Sequence, residues 1–279
     1  MNAYEQAQSD AVERWKRGEP ETDPFRGARA FVGYALRPLK VVTEPLAKAV
    51  TAVIPDGPMM GALAGANRFG KWLADEEDLL RRAGAESVEE LGDRGMKASD
   101  RLAEGVRVWG VGRAGAEGFA TGSAGFLLIG VDAVALVSLS FRTIHKTGLC
   151  YGYRLEGEEG ERFALSVLAA ATAVGSKERA NALSLARQVE ADILGGALGT
   201  AVDNAARRYV GGRGLFFASK GALQYFGINL GRGRLLRLAP LVGAVVGGVS
   251  NVVHLNRVAI AARRMFQERW LEERRRTGQ

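Results

Sequence analysis

One carboxylate stands out because it lies inside the most apolar part of the chain. Asp132 is the only charged residue of the segment 118–141, GFATGSAGFLLIGVDAVALVSLSF. An ionised carboxylate in such surroundings needs an ion partner, a polar cavity or a raised pKa. Two interpretations follow: a polar group in a cavity that binds lipid or an apolar ligand, or a structural ion pair or helix cap near Gly130. Arg142 lies nearly three helical turns further on, so we expect a partner from another helix.

Residues that commonly carry catalysis or bind metals are few. The chain has two histidines and one cysteine, too few for a Cys/His metal site or an intramolecular disulfide framework. His145 and Cys150 do not fall on one helical face, and the sequence contains neither a nucleophile elbow nor a zinc-protease motif. We therefore predict no catalytic residue, no metal and no cofactor. The alternative is an uncharacterised hydrolase-type enzyme that uses Asp132 in a core cavity.

A glycine-rich motif offers a second chemistry. Residues 110–115, GVGRAG, match the Gly-x-Gly-x-x-Gly pattern of dinucleotide-binding sites, and Asp132 follows about 20 residues later. That pattern needs a strand before it and βαβ units after it, and no run of alternating strands follows here. Because 37 of the 279 residues are glycine, a chance match is the favoured interpretation.

The apolar segments that surround these residues predict helices. The segments 118–141 and 163–176 are rich in Ala and Leu, and 238–256 is richer in Val. Ser87 and Glu90 form a capping box that starts a helix running towards Trp109. We predict an all-α, compact multi-helix domain with glycine-rich apolar helices packed centrally. Asp132 and the glycines make these segments weak membrane spans.

Four Gly-x-x-x-Gly pairs predict close approach of helix backbones. This spacing places both glycines on one helical face, where a neighbouring backbone can come near. The pairs are Gly61/Gly65, Gly118/Gly122, Gly195/Gly199 and Gly243/Gly247.

The N-terminal part of the chain has a different composition. Six of the seven prolines lie before residue 59, which predicts short helices in an irregular arm. We therefore divide the chain into a proline-rich helical arm, residues 1–58, and a helical domain, residues 59–279. The start of the chain lacks the apolar core of a secretory signal, so a cytoplasmic location is expected.

Positive charge is concentrated at the other end. Residues 201–279 contain 14 Lys and Arg against 4 Asp and Glu, whereas residues 1–200 have a net charge of −3. A helix near residues 250–276 is predicted to be basic and amphipathic, which is typical of proteins that lie on anionic bilayers. Packing of its apolar side on the core is the competing interpretation. The residues expected at the membrane surface are Arg257, Arg263, Arg264, Phe266, Arg269 and Trp270.

Three blocks of sequence resemble the EcsC family. They are EEDLLRRAGAESVEELGDRGMKASDRLAEGV, AEGFATGSAGFLLIGVDAVALVSLSFRTIHKTGLCYGY and ERFALSVL, followed later by PLVGAVVGGVSN. The resemblance covers roughly residues 59–270 and implies a helical, membrane-associated bacterial protein, accessory to a transporter or an envelope process. It carries over no catalytic residue set, and Ala133 stands where the family pattern often has proline. The motif positions are Gly118, Gly122, Gly125, Asp132, Arg142, Tyr151, Gly152, Arg162 and Asn251.

Together these observations predict a non-catalytic, amphitropic protein at the inner face of the cell membrane. Its expected partners are an anionic phospholipid membrane and a lipid or apolar small molecule. Nucleic-acid binding through the basic end is disfavoured because no recognition motif is present. The residues expected to contact a ligand or line a cavity are Asp132, Arg142, Tyr151, Arg162 and Asn251.

Overall fold

The protein is a helical bundle. The computed structural model describes residues 1–19, 56–123, 129–173, 179–184, 186–187 and 240–278. These residues contain no strand, which confirms the all-α class. The helices are α1 (Ala3–Lys16), α2 (Asp56–Leu73), α3 (Glu76–Ala83), α4 (Val88–Asp93), α5 (Met96–Ser123), α6 (Ile129–Cys150), α7 (Gly157–Thr172) and α8 (Pro240–Thr277).

Side-chain caps start two of the shorter helices. In α1 the Asn2 side chain accepts a hydrogen bond from the Glu5 amide at 2.9 Å, and the Glu5 carboxylate accepts one from the Asn2 amide at 2.8 Å. In α4 the Ser87 hydroxyl accepts from the Glu90 amide, which confirms the predicted helix start. Glu90 instead accepts from the Glu86 amide, so only half of the predicted capping box forms.

The predicted continuous helix from Ser87 towards Trp109 is interrupted. α4 ends at Asp93 and α5 starts at Met96. Between them Gly95 has a φ of 84°, in the left-handed region that glycine adopts without a Cβ penalty. The break makes α5 a separate helix, which packs against α6 and α8.

The C-terminal helix α8 is at the centre of the bundle rather than on its surface. It packs against α1, α5, α6 and α7. Its side chains from His254 to Leu271 are buried or half-buried, and Val258, Ala262 and Phe266 are fully enclosed. Burial of these apolar side chains against four helices is the main stabilising term of the fold.

Three long helices run side by side, and their contacts fix their directions. Asp100 of α5 contacts Tyr151 at the end of α6, and Trp109 contacts Arg142. Asp100 also meets Gln267 of α8, while Arg107 meets Asn256. As numbers rise along α5 they fall along both neighbours, so α5 is antiparallel to α6 and to α8.

α2 crosses α6 at a glycine. A Cβ atom on Gly70 would lie 2.5 Å from the Phe141 Cβ and 2.7 Å from the Ser138 carbonyl oxygen, so only glycine permits this approach. The predicted close-packing pair Gly61/Gly65 on the same helix behaves differently. Both are exposed, and a Cβ there would meet nothing within 4 Å. The other three pairs have members outside the residues whose surroundings are described.

The first helix belongs to the same packed body as the later ones. α1 packs against α8 and α5, and Trp15 is part of the core. The predicted boundary at residues 58/59 falls in the first turn of α2. The proline-rich stretch between α1 and α2 lies outside the described residues, so the division into an arm and a domain stays a prediction.

Candidate functional site

Four large apolar side chains are exposed on two neighbouring helices. They are Phe69 and Trp72 of α2, with 50% and 74% of their surface exposed, and Val108 and Trp109 of α5, with 59% and 37%. We call this set the aromatic face. Exposed apolar side chains scattered singly are ordinary, but exposed aromatic rings that lie together, as those of Phe69 and Trp72 do, are typical of a docking surface.

Helical periodicity places the α2 half of this face. Phe69 and Trp72 are three residues apart, so they project from the same side. Their rings stack with centroids 5.6 Å apart and an interplanar angle of 20°. Gly61 and Gly65 continue the same exposed stripe towards the start of the helix. The opposite side of α2, which includes Leu63, Ala66 and Gly70, packs against α6.

Arg142 joins the two halves of the aromatic face. Its Nε donates a hydrogen bond to the Leu73 carbonyl at the end of α2, at 3.0 Å. Its guanidinium carbon lies 3.8 Å from the centroid of the Trp109 ring, within range of a cation–π interaction. One buried guanidinium therefore fixes Trp109 beside the end of α2.

Basic and acidic residues both lie near the aromatic face. Arg68 and Lys71 are exposed on α2 beside Phe69 and Trp72. The Lys71 ammonium lies 3.8 Å from a carboxylate oxygen of Glu156, and Asp75 is exposed just beyond the helix. An exposed ion pair of that length contributes little stability, so Lys71 can exchange this partner for another anion.

A buried carboxylate forms a polar cluster at the opposite end of α5. Asp100 accepts hydrogen bonds from the hydroxyls of Tyr4 (2.6 Å) and Tyr151 and from the Gln267 amide (2.7 Å). Burial and the neighbouring carboxylate raise the pKa of Tyr4 to about 12 and that of Tyr151 well above its usual value. Both phenols therefore stay protonated donors. The cluster links α1, α5, α6 and α8 and has the character of a structural network.

A buried serine–histidine pair lies where α6 meets α8. The Ser140 hydroxyl oxygen is 2.9 Å from Nε2 of His254 and 2.7 Å from the Leu136 carbonyl oxygen. A carbonyl only accepts, so the serine proton is directed to Leu136 and the imidazole donates to Ser140. The histidine is not placed to remove the serine proton, which a nucleophilic serine would need.

Two further observations limit the chemistry of the described residues. Within them, no group of His, Cys, Asp and Glu side chains is arranged to hold a metal ion. Burial raises the pKa of Cys150 to about 12, and its thiol donates to the Lys146 carbonyl. A thiol held in this way is not a reactive nucleophile.

Comparison with known protein families gives a match over almost the whole chain. Residues 6–271 match the model of the EcsC protein family. The chain belongs to this family. The match starts within α1 and so includes the helix whose Trp15 packs in the core. No curated protein and no solved structure matches the EcsC chain. Across its described helices, none is long and apolar enough to cross a membrane.

Four of the five predicted ligand residues of this EcsC chain have described side chains, and these four do not converge on one site. Arg142 is buried between α2 and Trp109, and Tyr151 is buried against Asp100. Arg162 forms an ion pair with Glu158 on its own helix. Asn251 is half-buried on α8. Asp132 lies in the first turn of α6, and its side chain is outside the described set.

The predicted membrane-surface residues of α8 differ from the expectation, because none of them is exposed. Phe266 and Trp270 lie in the core, where Phe266 contacts Phe163 at 5.2 Å between ring centroids. Arg264 is buried and donates to Gln8 at 3.0 Å and to Gln267 at 2.8 Å.

The other three arginines also have partners inside the bundle. Arg257 donates to the Ala173 carbonyl at 3.0 Å, and Arg263 lies 3.8 Å from the Glu104 carboxylate. The Arg269 guanidinium lies over the ring of Tyr153 at 4.4 Å. These residues fix α8 in the bundle and do not form an outward basic face.

The aromatic face was not predicted from the sequence. Its signal is present in α2, where Gly61, Gly65, Phe69 and Trp72 repeat at intervals of four, four and three residues. That periodicity also fits a helix that packs its aromatic side on the core. Only the structure shows that Leu63, Ala66 and Gly70 form the buried side instead.

Proposed function

We propose that this EcsC protein docks reversibly on anionic bilayer surfaces and binds lipid or an apolar ligand there, without catalysing a reaction. The exposed aromatic face is the observation that carries the proposal. Tryptophan and phenylalanine are favoured at the boundary between headgroups and acyl chains, because the rings are apolar and an indole N–H can still reach water. In this proposal the inner face of the cell membrane is the docking surface.

The charges beside the face support a preference for anionic lipid. Arg68 and Lys71 are exposed and adjoin Phe69 and Trp72 in the sequence of α2. A basic residue near an anionic membrane contributes about 1 kcal/mol. Docking through this face would therefore combine a modest electrostatic attraction with burial of aromatic surface, which gives a reversible attachment.

The direct test is vesicle binding by a variant that lacks the exposed rings. The double substitution Phe69→Ser and Trp72→Ser removes two side chains that make few core contacts, so the bundle is expected to stay folded. Without the burial of these two rings, the binding free energy should be weaker by about 2 kcal/mol, which corresponds to roughly thirtyfold weaker binding. Cosedimentation with vesicles of phosphatidylcholine and phosphatidylglycerol measures this change. Unaltered binding by a folded double variant would contradict the proposal.

A charge-matched pair of variants controls for the electrostatic part. Arg68→Gln removes an exposed cation beside the aromatic face, whereas Lys97→Gln removes one near the start of α5. Lys97 lies 12 residues from Trp109, about 18 Å along the helix. Binding to anionic vesicles should fall for Arg68→Gln and stay constant for Lys97→Gln.

Asp132 is the one candidate residue that remains for the hydrolase alternative. The buried Ser140–His254 pair adds no support, because the Ser140 hydroxyl donates its proton to the Leu136 carbonyl rather than to the histidine. Replacing Asp132 with Asn separates the two functions. Loss of a turnover with an intact fold would favour the enzyme, whereas unchanged or stronger vesicle binding fits the docking proposal.

A further inference from the structure

The last turn of α8 carries three arginines that lack a carboxylate partner. Arg274, Arg275 and Arg276 follow one another just before the helix ends at Thr277. Arg275 and Arg276 are exposed, and Arg274 is half-buried. Among the residues that the structure describes, none of the three guanidinium groups has a carboxylate oxygen within ion-pair distance. The described part of the protein therefore leaves their positive charge uncompensated.

The exposed arginines of α3 provide a contrast, because they are paired. The side chains of Arg81 and Arg82 are 74% and 65% exposed, yet their guanidinium nitrogens lie 3.0 and 2.8 Å from one carboxylate oxygen of Asp78. Such exposed pairs contribute little stability, but they neutralise the local charge. The arginines at the end of α8 have no such neutralising neighbour in the described chain.

Two further cations lie at the same end of the bundle, on α5. Lys97 and Arg101 are exposed and four residues apart, so they share one side of the helix. They flank Asp100, whose carboxylate accepts a hydrogen bond from Gln267 of α8 at 2.7 Å. Neither cation has a carboxylate partner within the described ranges. We use the name basic end for the set Lys97, Arg101, Arg274, Arg275 and Arg276.

Contacts with the bundle hold two of these arginines in place. The Arg274 guanidinium carbon lies 4.1 Å from the centroid of the Trp270 ring, and the Trp270 indole donates to the Gly92 carbonyl at 3.3 Å. Arg275 donates to the Ser9 hydroxyl at 3.3 Å. A guanidinium that stacks on a ring is already partly ordered and keeps N–H donors for an anion. The basic end is thus partly preorganised to bind carboxylates or phosphates.

Nearby carboxylates and the position of the exposed rings restrict the kind of anion that fits. Asp93 and Glu273 are exposed at this end, and Glu273 accepts a hydrogen bond from the Tyr153 hydroxyl at 2.7 Å. Duplex DNA carries one charge per about 1.7 Å, so a rigid duplex would bring phosphates against these carboxylates. Single strands stack their bases on exposed aromatic rings, and in the described chain such rings occur only in the aromatic face.

We propose that the basic end binds a flexible, acidic segment of a partner protein. A segment rich in Asp and Glu can place carboxylates on the arginines in bidentate hydrogen bonds and leave uncharged residues beside Asp93 and Glu273. Lys97 is about 18 Å and Arg275 about 28 Å along their helices from the level of the aromatic face. The partner and a bilayer can therefore be bound together, and the inference does not depend on bilayer docking.

Fluorescence anisotropy of a labelled decaglutamate peptide, titrated with the full-length protein, tests this proposal. The double substitution Arg275→Gln and Arg276→Gln removes two exposed cations of the basic end. The double substitution Arg81→Gln and Arg82→Gln changes the net charge equally, but its arginines are already paired with Asp78. At low ionic strength the natural sequence should bind the peptide. Binding should be about fivefold weaker for the first variant and unchanged for the second.

Several results would overturn the proposal. One is a natural sequence that does not bind decaglutamate at low ionic strength. Another is equal weakening in both double variants, because net charge alone would then explain the binding. Tighter binding of a DNA duplex than of the peptide would make the basic end a nucleic-acid surface instead.

Vesicle binding separates this proposal from the docking proposal. The variant with Arg275→Gln and Arg276→Gln should bind vesicles of phosphatidylcholine and phosphatidylglycerol as well as the natural sequence does. Weaker vesicle binding by this variant would assign the two arginines to the membrane contact and overturn the proposal. If the natural sequence binds decaglutamate but not vesicles, only the docking proposal fails.

Discussion

At the scale of single residues, two buried histidines hold neighbouring helices together in their neutral form. Nε2 of His145 lies 2.8 Å from the Asn67 side-chain oxygen, which joins α6 to α2, and His254 joins α8 to Ser140 of α6. Burial, with Lys71 near His145 and Arg257 near His254, lowers the pKa of His145 to about 4 and that of His254 to about 3. Both imidazoles are therefore uncharged at neutral pH.

The lowered pKa values predict a loss of stability in weak acid. In the unfolded chain both imidazoles bind protons near pH 6.5, and in the folded chain only near pH 4 or below. The unfolded state therefore binds more protons in between, and the free energy of unfolding must fall as the pH falls from about 6.5 to 4. We expect a total loss of several kcal/mol, measured by urea unfolding at a series of pH values.

A matched variant identifies the source of that pH dependence. In the double variant His145→Gln and His254→Gln the titrating rings are gone, while the carboxylates of the ion pairs remain. Its free energy of unfolding should fall much less than that of the natural sequence between pH 6.5 and about 5, although it is lower overall. If the free energy of unfolding of this variant fell with pH as steeply as that of the natural sequence, other groups would be the source of the pH dependence.

Among the elements, α2 approaches α6 most closely at Gly70, and its opposite side is exposed. Gly70→Ala would place a Cβ within 2.5 Å of Phe141 and 2.7 Å of the Ser138 carbonyl oxygen. We expect the free energy of unfolding to fall by about 1–3 kcal/mol because the backbones must separate. Gly65→Ala on the same helix meets nothing within 4 Å and should raise stability by up to about 1 kcal/mol.

The two glycine variants also report on the aromatic face, because Gly70 fixes the position of Phe69 and Trp72. Urea unfolding of both variants at pH 7 provides the comparison. Equal stability of Gly70→Ala and Gly65→Ala would show that α2 is not closely packed on α6, and the description of the aromatic face would then fail.

Helix α8 shows what sequence patterns could and could not predict. Its helical character, its apolar stripe from Leu255 to Trp270 and its arginines were all readable from the sequence. Periodicity identifies an apolar side, but it does not tell whether another helix covers the polar side. Here the partners of Arg264 include Gln8, which is 256 residues away along the chain. No local pattern records such a contact.

The candidate site was harder to predict than the fold for a related reason. Ser87 marked a helix start because its capping bond is to a neighbour three residues away. Trp109 lies near the end of α2 because Arg142 contacts both its ring and the Leu73 carbonyl. Exposure of an aromatic ring depends on how the helices pack, so the sequence favoured burial of these rings.

Different groups of residues lie at different levels along the long helices of the molecule. At one end are the Asp100 cluster and the exposed arginines Arg275 and Arg276 of α8. Asn256 is about 28 Å from Arg275 along α8, and it lies level with the aromatic face.

Flotation of the unmodified protein is the most direct test of the docking proposal. The protein is mixed with neutral or anionic vesicles, floated through a density gradient and then washed with high salt. The account predicts flotation with anionic vesicles and a fraction that survives the salt wash, because buried aromatic and apolar surface is not screened by salt. Protein that stays at the bottom of the gradient with both kinds of vesicle would contradict it.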